Sequence, residues 1–515
     1  MIPLRALTFR PWRFERADSW REPSRAKRPR SALLAQLAFA LVLVVSILTV
    51  LSFASSRYGY HGTTPLHPYP PYDQDAPWRP TDAIWDLLGR TGPSRDVATS
   101  TRWAPTAITT CGHNTQPYYA PCVAERTYGA MYGEELVYPD FRLRTPIFAP
   151  SRQRDDEQAW NALLNDIRER ASRCAEDGWV CYRGQHGQNI IIANATYTGD
   201  PPADIWSDRA CMSDGVSAQG IHVQEPGTIL TDEEYEAKYP VDNLLIATSP
   251  DSWSFQHFLD RVVHIIAQGT HLTRTAPVHV VTGRASGKAV SERWDMLGIP
   301  ANSVHHRGSV GAKAMVFSCR APLIHPWLSY RALEKFGLNS TNVPLEKRKK
   351  VVYMSRSRGH TSNGGRRVLN EDDLLSQIRD LLSSRGQNEE LVLFNQDSFR
   401  SQSELMRWFH DNARAIIGPH GGALFNHRWA GIDTLVLEMM PTTFTSLMFW
   451  EEASILGQVY VNMILEPVGG NDMNADIPAV LEILRGHLGK SDQRGPAISE
   501  MYRWRGPEVQ VPFSN

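Results

Sequence analysis

The stretch IIGPHGGALFNHRWA, Ile416 to Ala430, runs two isoleucines into Gly-Pro-His-Gly-Gly and then returns to an apolar pattern with helical spacing. Glycines at such a junction let the backbone turn sharply and approach a neighbour closely. A helix starting just after them presents N–H groups that lack intrahelical partners, and phosphate is the usual occupant of that position. The same residues also suit a plain strand-to-helix turn with a satisfied histidine. The surroundings of the stretch decide between the two.

Those surroundings alternate strand and helix. On the N-terminal side, VVYM (351–354) reads as a strand and NEDDLLSQIRDLLSSRG as a helix, with Asn370 as its cap, three acids in its first turn and Gly386 at its end. LVLF (391–394) is the next strand, SQSELMRWFHDN (401–412) the next helix, and ARAIIG (413–418) the strand that leads into the glycines. DTLVLEMMP (433–441) adds a further strand. Earlier in the chain the same rhythm appears in NLLIAT (243–248), a helix ending at Gly269, VHVVTG (278–283), KAVSERWDMLG (288–298) and AMVFS (314–318). In that first helix Phe255, Phe258, Leu259, Val262, Val263 and Ile266 form one face, and His257, Asp260, Arg261 and His264 the opposite one. Asp251 or Ser252 can cap its start. Repeats of this kind predict parallel sheets covered on both faces, with ligands beyond the carboxyl ends of the strands. From about 100 to 240 no comparable alternation can be read.

The chain of 515 residues has a net charge of −1, which gives no electrostatic argument for nucleic acid. Its N-terminus is less balanced. Nine Arg and Lys stand against three acids in the first thirty residues, and Leu33 to Ala54 follows with no charge in 22 positions. That length matches a hydrocarbon core of about 30 Å at about 1.5 Å per residue, and the basic flank predicts a cytosolic N-terminus. We expect a basic tail (1–32), a signal anchor (33–54) and a Pro-rich stem (55–100), then an N-terminal domain at 101–340 and a C-terminal domain at 341–515. All six cysteines and the sequons at Asn194 and Asn339 follow the anchor, on the side where oxidation and glycosylation occur.

Three clusters carry chemistry. Ser355, Arg356 and Arg358 follow a strand, where a guanidinium fork suits a diphosphate. The second cluster is the glycine stretch. The third is Glu438, a carboxylate inside an apolar run, which must be paired or hydrogen-bonded. It suits either a sugar's vicinal hydroxyls or a buried ion pair. The ordered set YMSR, RRVLNEDDL, GPHGGAL and VLEMMP, preceded by WSFQHFLDRV, resembles glycosyltransferase family 61 over roughly 243–465. One departure is Gly421-Gly422-Ala423, where the family commonly has Gly-Ala-Gly.

The resemblance implies a GT-B-like α/β fold, two facing Rossmann-like domains with parallel sheets. It further implies an inverting transferase that uses a UDP-sugar such as UDP-xylose or UDP-N-acetylglucosamine. Ser355, Arg356, Arg358, Gly418, His420, Gly421, Gly422, Asn426 and Glu438 are the expected donor-binding residues. For the base that takes a proton from the acceptor hydroxyl, Asp260 ranks first and His257 second. The alternative is a structural polar face. The only Asp-x-Asp triplet noted, Asp73-Gln-Asp75, lies in the stem, so positive side chains rather than a metal are expected to neutralise the diphosphate, with no cofactor. The expected partners are the UDP-sugar donor, a glycan or glycoprotein acceptor and the membrane. The expected location is the lumen of the Golgi or endoplasmic reticulum. The rival readings are an inactive membrane-anchored carbohydrate-binding protein of the same fold and a luminal hydrolase, although no Gly-x-Ser-x-Gly elbow is present.

Overall fold

Strands buried on both faces dominate the molecule, and they are gathered into two main sheets. The computed structural model describes residues 108, 110–111, 120–127, 131–198, 221–224, 227–247, 253–272, 279–283, 287–337, 343–357 and 365–491, all within one unit, Ala76–Asn515. The tail, anchor and stem expected at 1–100 lie outside these residues, as do Arg358, Asn339, Asp251 and Ser252. Among the described residues no helix is long and apolar enough to cross a membrane.

The N-terminal part contains β1 (Cys122–Thr127), β2 (Met131–Val137), β3 (Phe141–Arg144), α1 (Gln153–Asp166), β4 (Ala171–Arg173), β5 (Trp179–Tyr182), β6 (His186–Thr198) and β7 (Ile221–Val223). It continues through α2 (Asp232–Lys238), β8 (Val241–Ile246), a helix α3 over 255–269, β9 (His279–Val281), α4 (Lys288–Met296), β10 (Val304–His305), β11 (Ser309–Cys319) and α5 (Pro326–Lys335). Its main sheet has the order β1-β2-β6-β11-β8-β9-β10, with β7 paired to β6. This sheet is mixed, which corrects the expectation of a parallel one. Only β11, β8, β9 and β10 run parallel, while β1, β2, β6 and β11 pair antiparallel. The antiparallel half comes from the segment whose pattern could not be read. In β6, Ile190 and Ile192 enter one core and Ile191 the other, so burial on both faces erased the alternation.

The C-terminal part contains β12 (Lys350–Tyr353), α6 (Glu371–Arg385), β13 (Glu390–Leu393), α7 (Gln402–Asn412), β14 (Ala413–Pro419), β15 (Leu435–Pro441), α8 (Met448–Ile455), β16 (Val459–Leu465), β17 (Pro467–Gly469), β18 (Asp472–Met473) and α9 (Ile477–His487). The sheet β13-β12-β14-β15-β16 is parallel throughout, as expected. Ser401 caps α7 by accepting the Glu404 N–H at 3.2 Å. Asn370 does not cap α6 with its side chain; it pairs with the backbone of Ala475 instead, at 2.8 and 2.9 Å.

One apolar core, including Ile191 and Val316 from the first sheet and Val352, Ile416 and Val436 from the second, fills the layer between the sheets. Helix α3 lies in that core and is buried nearly all round, as Val263 to Gly269 show. An N-terminal segment also serves the second sheet. Ile147 forms a bridge with Val461, and Asp156 of α1 accepts the Ile464 N–H at 3.1 Å.

Candidate active site

Strands β12, β14 and β15 lie side by side and parallel, so their carboxyl ends deliver three distant sequence clusters to one edge. Gly418 is opposite Glu438 in the register of β14 and β15, and a Cβ on Gly418 would stand 2.8 Å from the Met354 carbonyl oxygen, just past the end of β12. A Cβ on Gly421 would stand 2.3 Å from Nη1 of Arg356. The glycines are therefore needed for close approach of the Ser-Arg loop, and neither has a positive φ. Arg356 Nε donates to the Gly365 carbonyl at 3.0 Å. Burial, and then the neighbouring Arg366, lower the Arg356 pKa to about 10, so it remains a cation at neutral pH. Two guanidinium groups held near one another favour an anion between them.

The motif continues into a 3₁₀ helix, Leu424–Trp429, of six residues. The expected α-helix is absent, and with it most of the macrodipole argument for a phosphate. The backbone N–H groups of Gly421, Gly422 and Ala423 nonetheless meet no acceptor among the described residues.

His420 is fixed from both sides. Its Nδ1 pairs with Glu438 Oε1, and its ring stacks on Phe449 with centroids 4.7 Å apart and meets Phe444 at 5.3 Å. Arg366 lies over Phe444, 4.3 Å from its centroid. Tyr460 donates to Glu438 Oε2, and burial together with Glu438 pushes the phenol far above its ordinary pKa, so that it stays a donor. Glu438 is wholly buried with both oxygens engaged. It orients His420 and has no oxygen turned to a ribose, which favours the buried-pair alternative. With Nδ1 committed, His420 Nε2 is the nitrogen left for chemistry; no partner for it is found among the described residues.

On the opposing element, α3 begins with Phe255–His257, passes through a π turn at Phe258–Val262 and resumes α geometry at Val263. π turns widen a helix locally and recur at functional sites. Asp260 sits in this turn and is 3% exposed. Its Oδ2 is 3.4 Å from His257 Nδ1, and its Oδ1 is 3.6 Å from Arg261 Nε, with no hydrogen-bond partner. His264 is also buried and donates from Nδ1 to the Pro322 carbonyl at 3.0 Å, so the polar face is not solvated. Gln256 connects the two halves. Its Nε2 lies 2.9 Å from Met448 Sδ, and its Oε1 would stand 3.9 Å from a Cβ on Gly422.

The remaining expected residues are less directly placed. Ser355 Oγ donates to both oxygens of Glu371, at 2.8 and 2.9 Å, and so braces the loop. Asn426 is buried and donates to the Ala423 carbonyl at 2.9 Å, a position unsuited to reading a base from solvent. Asn194 has φ 51° within β6, and its Oδ1 accepts from the Tyr235 hydroxyl at 2.6 Å. Gln256, Phe444, Phe449 and Tyr460 escaped sequence reasoning. Tyr460 stands on β16, VYVNMIL, an apolar run that announces a buried strand.

Residues 229–437 match the family model described as Glycosyltransferase 61. The match covers less than half of the 515 residues and stops one position short of Glu438. No curated protein matches the chain. The segment that carries Asp260, Arg356 and His420 is thus similar to glycosyltransferase family 61.

Proposed function

We propose that the chain is an inverting, GT-B-like glycosyltransferase that moves a sugar, xylose or N-acetylglucosamine, from a UDP-sugar to a hydroxyl of a glycan or glycoprotein. The single observation that carries this reading is the contact of Arg356 with Gly421, beside the Glu438-oriented His420, at the carboxyl ends of adjacent parallel strands. Arg356, Arg366 and the glycine amides are the donor-side groups suited to a diphosphate. Asp260 takes the acceptor proton as the acceptor oxygen bonds to C1, and the C1–O bond electrons leave with UDP. His257, at 3.4 Å, positions that carboxylate. The cations supply the compensating charge, so we propose turnover without a metal.

The type II luminal topology in Golgi or endoplasmic reticulum is part of the proposal. Its support is the basic flank before the apolar span, the sequons at Asn194 and Asn339, and the disulfides Cys111–Cys122 and Cys174–Cys181, which suit an oxidising compartment. The test is a screen of the full-length protein in detergent against a panel of nucleotide sugars, with and without EDTA. UDP-sugar turnover that persists in EDTA is the expected result. Turnover only with added Mn²⁺, or only of another nucleotide's sugars, would contradict the reading.

A further inference from the structure

A partly open cavity of about 250 Å³ lies against Asp260, and nothing described so far uses it. Its walls come from three parts of the chain: Ile167 and Arg170 after α1, Asp260 on α3, and the loop from Thr445 to Glu451 that leads into and begins α8. The polar wall is built. Glu451 is 2% exposed, and its Oε1 accepts from Arg170 Nη2 at 3.1 Å and from the Tyr182 hydroxyl at 2.6 Å. Its Oε2 has no hydrogen bond among the described residues. The second acceptor without a hydrogen bond is Asp260 Oδ1, enclosed on a side chain 3% exposed. Leu323, Leu447 and Met448 supply apolar surface in the same lining.

We propose that this cavity holds the terminal sugar of the acceptor, and that Arg170 and Glu451 select a neutral, polyhydroxylated ring; the proposal rests on the transferase reading above. A sugar has hydroxyls around its rim and C–H groups on its faces, which matches a lining that mixes carboxylates with aliphatic side chains. The volume suits one ring. Charge sets the selectivity: Asp166, Asp260 and Glu451 stand against Arg170 in the lining and Arg261, 3.6 Å behind Asp260 Oδ1, which leaves a net negative wall that repels an anionic sugar. The cavity also adjoins the donor side. Met448 in its wall touches Gln256, and the next residue, Phe449, stacks on His420. Arg170 and Tyr182 precede the family match at 229 and Glu451 follows its end at 437, so the polar wall draws mainly on residues outside the matched segment.

The experiment is ligand-observed NMR on the full-length protein in detergent. The probes are the neutral p-nitrophenyl mannoside, galactoside and xyloside, and p-nitrophenyl glucuronide as the anionic one, with UDP titrated in parallel. Wild type is expected to bind at least one neutral glycoside, and the glucuronide at least about tenfold more weakly. Glu451→Gln, which preserves shape, and Leu447→Trp, which fills the cavity, each weaken the neutral glycoside by about tenfold or more, with UDP affinity held within about twofold. If Leu447→Trp does not fold, Glu451→Gln decides alone. Unchanged glycoside affinity in Glu451→Gln, equal binding of the glucuronide, or no neutral glycoside bound by wild type at millimolar concentration each overturn the proposal. Absence of UDP binding in wild type would instead count against the donor reading, and the glycoside results would still be readable.

Discussion

The five-stranded and eight-stranded sheets share one core yet handle their edges differently. In the parallel C-terminal sheet every strand points the same way, so β12, β14 and β15 end together and bring Arg356, His420 and Glu438 into contact range. In the mixed N-terminal sheet β1, β2, β6 and β11 alternate in direction, and its contribution to the site comes from a buried helix, α3, through Asp260 and Gln256. The difference suggests a division of labour. On the proposed reading, the diphosphate-binding groups collect where parallel strands end, while the base and the acceptor walls come from elements packed against that edge.

That division is broken most directly by a variant on the N-terminal side. Asp260→Asn preserves shape and removes the basic oxygen, so turnover should fall by about 10²–10⁴-fold while UDP affinity stays nearly constant. Near-normal turnover, measured by UDP release, would return Asp260 to a structural role. If His257→Ala abolished turnover and Asp260→Asn did not, histidine would be the base.

A smaller effect is expected at Gly421. The methyl of Gly421→Ala would meet the tip of Arg356 at 2.3 Å. The flexible guanidinium should yield rather than the fold, so UDP affinity should fall by about tenfold, worth about 1.4 kcal/mol, with little change in melting temperature. A melting temperature lowered by more than about 5 °C would place the strain in the backbone instead.

Glu438→Gln sharpens the comparison further. Because Glu438 orients His420, loss of its charge should weaken UDP and inorganic diphosphate alike, by about 1 kcal/mol or about fivefold. A loss confined to UDP in calorimetric titrations would restore the ribose role to this carboxylate.

The smallest effect concerns the layer between the sheets. Burial lowers the pKa of His264 and His427 to about 4 each and that of His325 to about 3. Their folded-state values lie below the ordinary 6.5, so the unfolded chain binds more protons between about pH 6.5 and 4. Stability should therefore decline as pH falls through that window and be complete above it. Thermal melts from pH 7.5 to 4.5 test this, and a melting temperature that rises toward acid would contradict it.

Much of this was legible in the sequence where local signals agreed with the fold. The acids at the start of α6 and the left-handed Gly386 at its end fall where the residues place them. The glycine motif reads as a site of close approach and is one, yet its helix is a 3₁₀ turn of six residues, with five more before β15 begins. Asp260 was found on the expected helix, but a 3.6-residue period cannot register a π turn or burial of both faces. The antiparallel strands β1, β2 and β6 were hidden because their pairing is long-range and β6 is covered on both sides. Glu438 looked available because sequence does not reveal that His420 and Tyr460 converge on it from β14 and β16.

The central claim is that the Ser-Arg loop and the glycine motif form a diphosphate site on the C-terminal sheet. Calorimetric titration of UDP into the full-length protein and into Arg356→Ala, both in EDTA, tests it most directly. The account predicts that wild type binds without metal and that Arg356→Ala loses about 1.5–3 kcal/mol of binding, a factor of about 10–150. Equal UDP affinity in the two proteins, or binding that appears only when Mn²⁺ is added, would contradict it.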